Sequence, residues 1–359
     1  MGGVTNRKDG RVQVTCRYRD EHDCSQVKYF YGKTAREATE KMRNWKARGA
    51  DKLKGDYTMG WLMDHLVAEG GYFEKQRRQK ANTLFDYRAQ SETHVKPKIG
   101  GVKLSRLTVG HLDSVPLDMM ATGRSAKTAK NVQNLLKMCV TEGKRQGYVP
   151  RTLDLDLAHI DCPKFRAKLI DITEMAVLIE AAKGRRVQTA ILLAGFCGLR
   201  QSEIAGLMWR DVDGDALTIA RQYQRKRGGG TQFDDPKTEA GIRVIALPAP
   251  VVDHLACLER TSLYILPSLK DASHPVDPTT LYHETMQVLA KTDLKKIRFH
   301  DLRHSANNIL KQLGVDSATR RDILGHSTVA VTDNIYTQTT TPEMVDAMKR
   351  LVTALKEAK

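Results

Sequence analysis

His300-Asp301-Leu302-Arg303-His304-Ser305 opens a stretch in which Leu302, Ala306, Ile309, Leu310 and Leu313 recur at steps of three and four residues. That period predicts a helix with one buried face, and Gly314 just beyond it reads as a C-cap. The i, i+3 spacing then puts His300 and Arg303 on one side of the helix, near its start. Read alone, such a histidine is as well explained as a satisfied core or cap residue.

Three more local features lie to either side. Gly198-Leu199-Arg200 runs into a predicted helix over 201–209 whose apolar side is Ile204, Leu207 and Met208, so Arg200 stands at a helix N-terminus, where free N–H groups favour an anion. Pro236-Lys237-Thr238 falls between strand-like runs at 217–223 and 242–247, which places Lys237 on a hairpin tip. Leu324-Gly325-His326 ends one helix with a glycine cap, and Tyr336 follows ten residues after His326. Taken singly, these are a salt-bridged arginine, a solubilising lysine and a packed aromatic.

Taken together, Arg200, Lys237, His300, Arg303, His326 and Tyr336 resemble, in order and spacing, the catalytic set of the tyrosine recombinase (phage integrase) family. The flanks Gly198-Leu199-Arg200-Gln201-Ser202-Glu203, His300-Asp301-Leu302-Arg303-His304-Ser305 and Leu324-Gly325-His326 carry the likeness, which spans roughly residues 165–340. Phe196-Cys197 and Asn307-Asn308 depart from the family pattern at flanking positions. The resemblance implies an enzyme that cuts and rejoins DNA through a 3′-phosphotyrosyl intermediate on Tyr336. It assigns phosphate binding to Arg200 and Arg303, general acid to Lys237 and proton acceptance or positioning to His300. His326 adds a hydrogen bond to the phosphate, and Glu203 orients an active-site side chain.

The residue types suit that chemistry. A tyrosine hydroxyl can hold a phosphoryl group covalently and return it. Forked guanidinium donors match the charge that develops on the non-bridging oxygens. No metal or other cofactor is required, and no phosphate-loop or zinc-helix motif is present in the sequence. A type IB topoisomerase and a non-catalytic DNA-binding regulator on the same scaffold are the alternatives. Two basic modules ahead of the catalytic part weigh against the first, and the filled set of six polar positions against the second.

Charge extends the reading towards the N-terminus. The formal net charge is +16 over 359 residues. Residues 1–56 carry 14 basic against 8 acidic side chains, residues 57–150 carry 15 against 8, and residues 151–359 carry 29 against 26. Grip on a polyanion is therefore expected in the first 150 residues, and local chemistry in the remainder. Residues 11–19 alternate, with Arg11, Arg17 and Arg19 on a polar face. A second strand-like run covers 27–31, and a capping box of Thr34 and Glu37 opens a helix carrying Ala38, Met42 and Trp45. A small sheet of this kind, backed by one helix, suits insertion into a DNA major groove, though a solvated polar face explains the alternation too.

The expected fold is multidomain, mainly α with small β-sheets. Residues 1–56 resemble an AP2-like arm-binding domain, 57–150 a helical core-binding domain, and 165–359 an α+β catalytic domain ending in a docking helix. Residues 49–55 and 150–163 read as linkers, and Pro97-Lys98-Ile99-Gly100-Gly101 as a loop. Expected partners are double-stranded attachment-site DNA, three further copies of the chain, and accessory proteins that bend DNA or set direction. Six scattered cysteines and a longest apolar run of only residues 190–197 predict a reduced cytoplasmic protein at the nucleoid, with no membrane partner.

Overall fold

The computed structural model describes residues 4–6, 10–19, 25–49, 53–163, 167–234, 242–325 and 340–358. It is helix-rich with small antiparallel sheets, and the chain divides into two compact units, Met1–Lys164 and Phe165–Lys359.

In the first unit, strands β1 (Val4–Asn6), β2 (Val12–Arg19) and β3 (Ser25–Gly32) pair antiparallel in sequence order. Helix α1 (Ala35–Gly49) packs on β2 and β3. Val14 stands opposite Phe30, and both are buried with Cys16 and Ala38. Tyr29 and Val27, on the other alternation, are exposed. Half of the capping box forms as read: the Thr34 hydroxyl accepts from the Glu37 N–H, while Glu37 reaches back one residue further, to the Lys33 N–H.

A second core belongs to α2 (Met59–Val67), α3 (Tyr72–Lys75), α4 (Ala81–Gln90), α5 (Lys96–Ile99), α6 (Val109–Ala121) and α7 (Ala126–Gln146). The stripe Val132, Leu135, Leu136, Cys139 and Val140 of α7 is buried, as its period demands. Pro97 does not break the chain into a loop. It sits at the start of α5, directly after a π-helical turn at Ser91–Val95 that joins α4 to α5. Nor is 150–163 a free linker. Leu153, Leu155 and Leu157 pack on the helical core, Ile160 is buried, and Gln133 on α7 donates to the Ala158 carbonyl at 2.8 Å.

In the second unit, α9 (Val187–Phe196) is buried almost all round, the mark of a central helix. Around it lie α8 (Ile172–Ala181), α10 (Gln201–Ala205), α11 (Ala249–Ala256), α12 (Pro278–Leu289) and α13 (Phe299–Gln312). The expected helix over 201–209 is only α10. After Gly206 the chain turns extended, and Leu207 and Trp209 exchange backbone hydrogen bonds with Ile265 and Leu263. The expected strand over 217–223 is divided between sheets. β5 (Ala216–Ile219) lies between β4 (Val212–Asp213) and β8 (Arg243–Ala246), while β6 (Gln222–Arg225) pairs with β7 (Thr231–Asp234). The turn Arg225-Lys226-Arg227-Gly228-Gly229-Gly230 is thus the tip of the β6–β7 hairpin.

Helix α14 (Ser317–Leu324) ends at Gly325, whose φ of +64° is the left-handed cap expected there. Helix α15 (Pro342–Glu357) buries Met344, Ala347, Met348, Leu351 and Leu355, and packs on α8, β8, α13 and α14 of the same chain. No helix among the described residues is long and apolar enough to cross a membrane.

Candidate active site

Three segments distant in sequence end at one place. Past α9, Cys197 and Gly198 turn the chain into Arg200, the N-cap of α10. The first turns of α13 carry His300 and Arg303, and α14 closes on Leu324 and Gly325. Arg303 ties the three together: Nη1 donates to the Gly198 carbonyl and Nη2 to the Leu324 carbonyl, each at 2.6 Å. Arg200 Nη2 donates to the next carbonyl along, that of Gly325, at 3.2 Å.

The two glycines are there because the segments approach so closely. Gly198 has φ +62°, and a Cβ on it would lie 2.1 Å from Leu324 Cδ2. A Cβ on Gly325 would lie 2.8 Å from Arg243 Nη1. A side chain at 198 would push the Leu324 side chain aside and one at 325 would displace Arg243, and both positions hold the left-handed backbone that favours glycine.

Beneath the arginines lies Glu203, only 1% exposed. Its Oε1 accepts from Arg200 Nη1 at 2.6 Å and from Arg243 Nη1 at 3.2 Å, and its Oε2 from the Arg200 N–H at 2.8 Å and from Arg243 Nη2 at 3.1 Å. Burial alone would raise this carboxyl, but the charges and hydrogen bonds of Arg243 and Arg200 outweigh it and hold Glu203 below the ordinary carboxylate range. Arg243 was not among the expected site residues. The one sign in the sequence is a charged residue inside the β-branched run Ile242-Arg243-Val244-Ile245, which needs a buried partner to be tolerated there.

Arg303 is 2% exposed, whereas the Arg200 side chain is 32% exposed. Burial and the neighbouring Arg200 charge push the Arg303 guanidinium down to about 9, so it is still a cation at neutral pH. His300 is drawn below its usual value by burial first, then by the positive charges of His304, Arg303 and Arg200. The His300 and His304 rings meet edge to face, with centroids 4.7 Å apart. Arg200 and His300 line an open cleft of about 470 Å³ with Gln201, Ser202, Gln224 and Tyr282. Arg303 is not in that lining and sits behind it.

Of the expected site residues, then, Arg200, Glu203, His300 and Arg303 are brought together. Lys237, His326 and Tyr336 lie outside the described residues. Arg11 is exposed just ahead of β2. Arg17 and Arg19 lie on β2 opposite Val27 and Ser25, and their side chains are outside the described set. Among the described residues no group of three or more His, Cys, Asp or Glu could hold a metal ion.

Chemically, the described cluster sets three guanidiniums around one buried carboxylate. The excess positive charge sits in a low-dielectric pocket behind an open cleft, which is a site for an anion with several acceptor oxygens.

Residues 168–343 match the model of the phage integrase family. A tyrosine recombinase XerC-like protein of Caldanaerobacter subterraneus subsp. tengcongensis is 26% identical, with 95% of each chain covered. Among solved structures, the Tn1549 transposon integrase in complex with a circular intermediate DNA has a TM-score of 0.63 at 19% identity, covering 82% of this chain and 99% of that one. A lambda integrase tetramer bound to a Holliday junction has a TM-score of 0.58 at 16% identity, covering 92% and 97%. At such identities the structural likeness shows the fold. With the sequence relative that covers 95% of each chain, the match identifies residues 168–343 as a phage integrase family domain.

Proposed function

We propose that the arginine cluster binds the scissile phosphate of duplex DNA, and that the chain breaks and rejoins strands through Tyr336. In this reading the Tyr336 oxygen attacks phosphorus and the P–O5′ bond breaks. A 3′-phosphotyrosyl ester and a free 5′-hydroxyl result. The phenol proton passes to His300, which burial and then its cationic neighbours keep neutral and able to accept, and Lys237 protonates the leaving 5′ oxygen. Attack by the 5′-hydroxyl of a second strand reverses the step and exchanges partners, so bond energy is retained and no nucleotide cofactor is consumed. Arg200, Arg303 and His326 stabilise the charge on the non-bridging oxygens.

The observation that carries this reading is the placing of Arg200 and Arg303 on the consecutive carbonyls of Leu324 and Gly325, over a buried Glu203. The Arg200 guanidinium, 32% exposed on the cleft, keeps further N–H donors for an incoming phosphate beyond those spent on Glu203 and the Gly325 carbonyl.

Within the same proposal, residues 1–56 act as an AP2-like arm-binding domain using Arg11, Arg17 and Arg19, residues 57–150 as a core-binding domain, and residues 165–359 as the catalytic domain. A tetramer assembles on paired attachment sites, a role for which the lambda integrase tetramer on a Holliday junction is the precedent. Docking of α15 on a neighbouring protomer requires its apolar stripe to leave the present seat. The biological role is integration and excision of a phage or mobile element in the cytoplasm, with accessory DNA-bending and directionality proteins.

The test uses the full chain and a nicked half-site DNA that traps the covalent intermediate. A denaturation-resistant protein–DNA adduct is expected, and Tyr336→Phe should abolish it. No adduct from the unmodified chain, under conditions where strands are exchanged, refutes the reading.

A further inference from the structure

We infer that Arg243 is a positioning residue that sets the charge and orientation of Arg200 through Glu203. This rests on the phosphate-binding role proposed for Arg200.

Glu203 and Arg200 alone would form an i, i+3 ion pair of zero net charge, with the guanidinium drawn onto a carboxylate 2.6 Å away. Such a pair is a poor receptor for phosphate, because the anion must compete with a carboxylate already in place. Arg243 changes the balance. Its Nη1 and Nη2 fork onto the two Glu203 oxygens, Oε1 and Oε2, at 3.2 and 3.1 Å, and a bidentate fork of this kind fixes the carboxylate plane. The carboxylate charge is then matched from below, and the Arg200 charge is left for the open side of the site.

Geometry gives Arg243 a second hold. Its Nε donates to the Ile323 carbonyl at 3.0 Å, one residue before the Leu324 and Gly325 carbonyls that take Arg303 and Arg200. One buried side chain on β8 thus fixes both the carboxylate that orients Arg200 and the helix end that receives both phosphate-binding arginines. Only a glycine at 325 leaves space for this guanidinium, since a Cβ there would lie 2.8 Å from its Nη1. Lysine has charge without a fork, so it cannot span Glu203 and Ile323 together.

Arg243→Lys separates positioning from folding. On a trapping half-site, the single-turnover rate of adduct formation should fall about 10- to 100-fold, the range expected when a group is misplaced by about 1 Å. The dissociation constant for the same DNA should stay within about twofold, since most phosphate contacts lie elsewhere. A second comparison guards against simple misfolding. Arg243→Met leaves Glu203 facing Arg200 alone, and the double variant Arg243→Met with Glu203→Gln removes that capture. The double variant should therefore form adduct faster than Arg243→Met, a recovery that packing loss cannot produce. Arg243→Lys at the unmodified rate, or a double variant no faster than Arg243→Met, overturns the inference. Failure of the unmodified chain to form any adduct would instead strike the underlying phosphotyrosyl reading, so the two failures are distinct.

Discussion

Glu142 on α7 and Glu203 on α10 are both 1% exposed, and each accepts hydrogen bonds from two arginines. Around Glu142 the partners are Arg77 at 2.9 Å, Arg145 at 2.7 Å and Gln146 at 2.8 Å, two of them from its own helix. The arginine heads there reach solvent, with side chains 39% and 63% exposed. Around Glu203 one arginine comes from an N-cap and the other from a strand across the core, and a third guanidinium, that of Arg303, stands close enough to feel the same charges. The first cluster is a clasp whose charges water screens. The second is closed to water from below, so its excess positive potential is felt on the side that opens to the cleft. The same pairing of residue types therefore secures one helix in the first case and, in the function proposed above, builds an anion receptor in the second.

Removing one arginine from each cluster should separate the two roles most sharply. Arg200→Ala is expected to lower the cleavage rate by about 10²- to 10³-fold while gel-shift affinity for attachment-site DNA barely changes. A parallel fall in binding and cleavage would erase the distinction. Arg77→Ala should do the opposite. Denaturant titration should show a loss of about 1–3 kcal/mol, because the buried Glu142 loses a charged donor, while the adduct rate of the folded fraction stays as it was.

Acid should act on the clasp in a defined window. Burial pushes the Glu142 carboxyl up, but Arg145 and Gln146 more than offset it and bring it from 4.5 down to about 2. A carboxyl depressed in the folded state contributes stability that is whole above about pH 4.5 and is lost as pH falls towards about 2. Glu142→Gln should flatten that part of the stability curve, measured by urea midpoints against pH. An unchanged acid slope would mean the clasp contributes nothing.

The smallest effect should come from the histidines. His300 lies below its usual 6.5, in part through the His304 charge, so the acid limb of the cleavage profile should fall below that value. His304→Gln should move the limb upward, towards the ordinary imidazole range. A limb that stays put would remove His304 from the electrostatics of the site.

Local signals explain what is legible in the sequence. The α13 stripe, the Gly325 cap and the Gly198 turn each announce themselves within a few residues, so the amino-acid order alone assigns Arg200, His300 and Arg303 to the starts of helices. Arg243 escapes such a reading, because its partner is 40 residues away and only the packing of β8 beneath α10 brings them together. β7 is hidden for a related reason. Thr231-Gln232-Phe233-Asp234 has a single large apolar residue, itself exposed, and owes its strand to pairing with β6. The strap at 153–162 reads as a linker because Leu153, Leu155 and Leu157 alternate with charged or polar neighbours too briefly to suggest burial.

The central claim is that Tyr336 becomes esterified to DNA in a pocket set by Arg200, Arg303 and His300. Trapping the full chain on a half-site, digesting the adduct with protease and nuclease, and locating the nucleotide by mass spectrometry tests it most directly. A 3′-linked nucleotide on the peptide containing Tyr336 is predicted, and a nucleotide on any other residue, or strand exchange with no linked nucleotide at all, would contradict it.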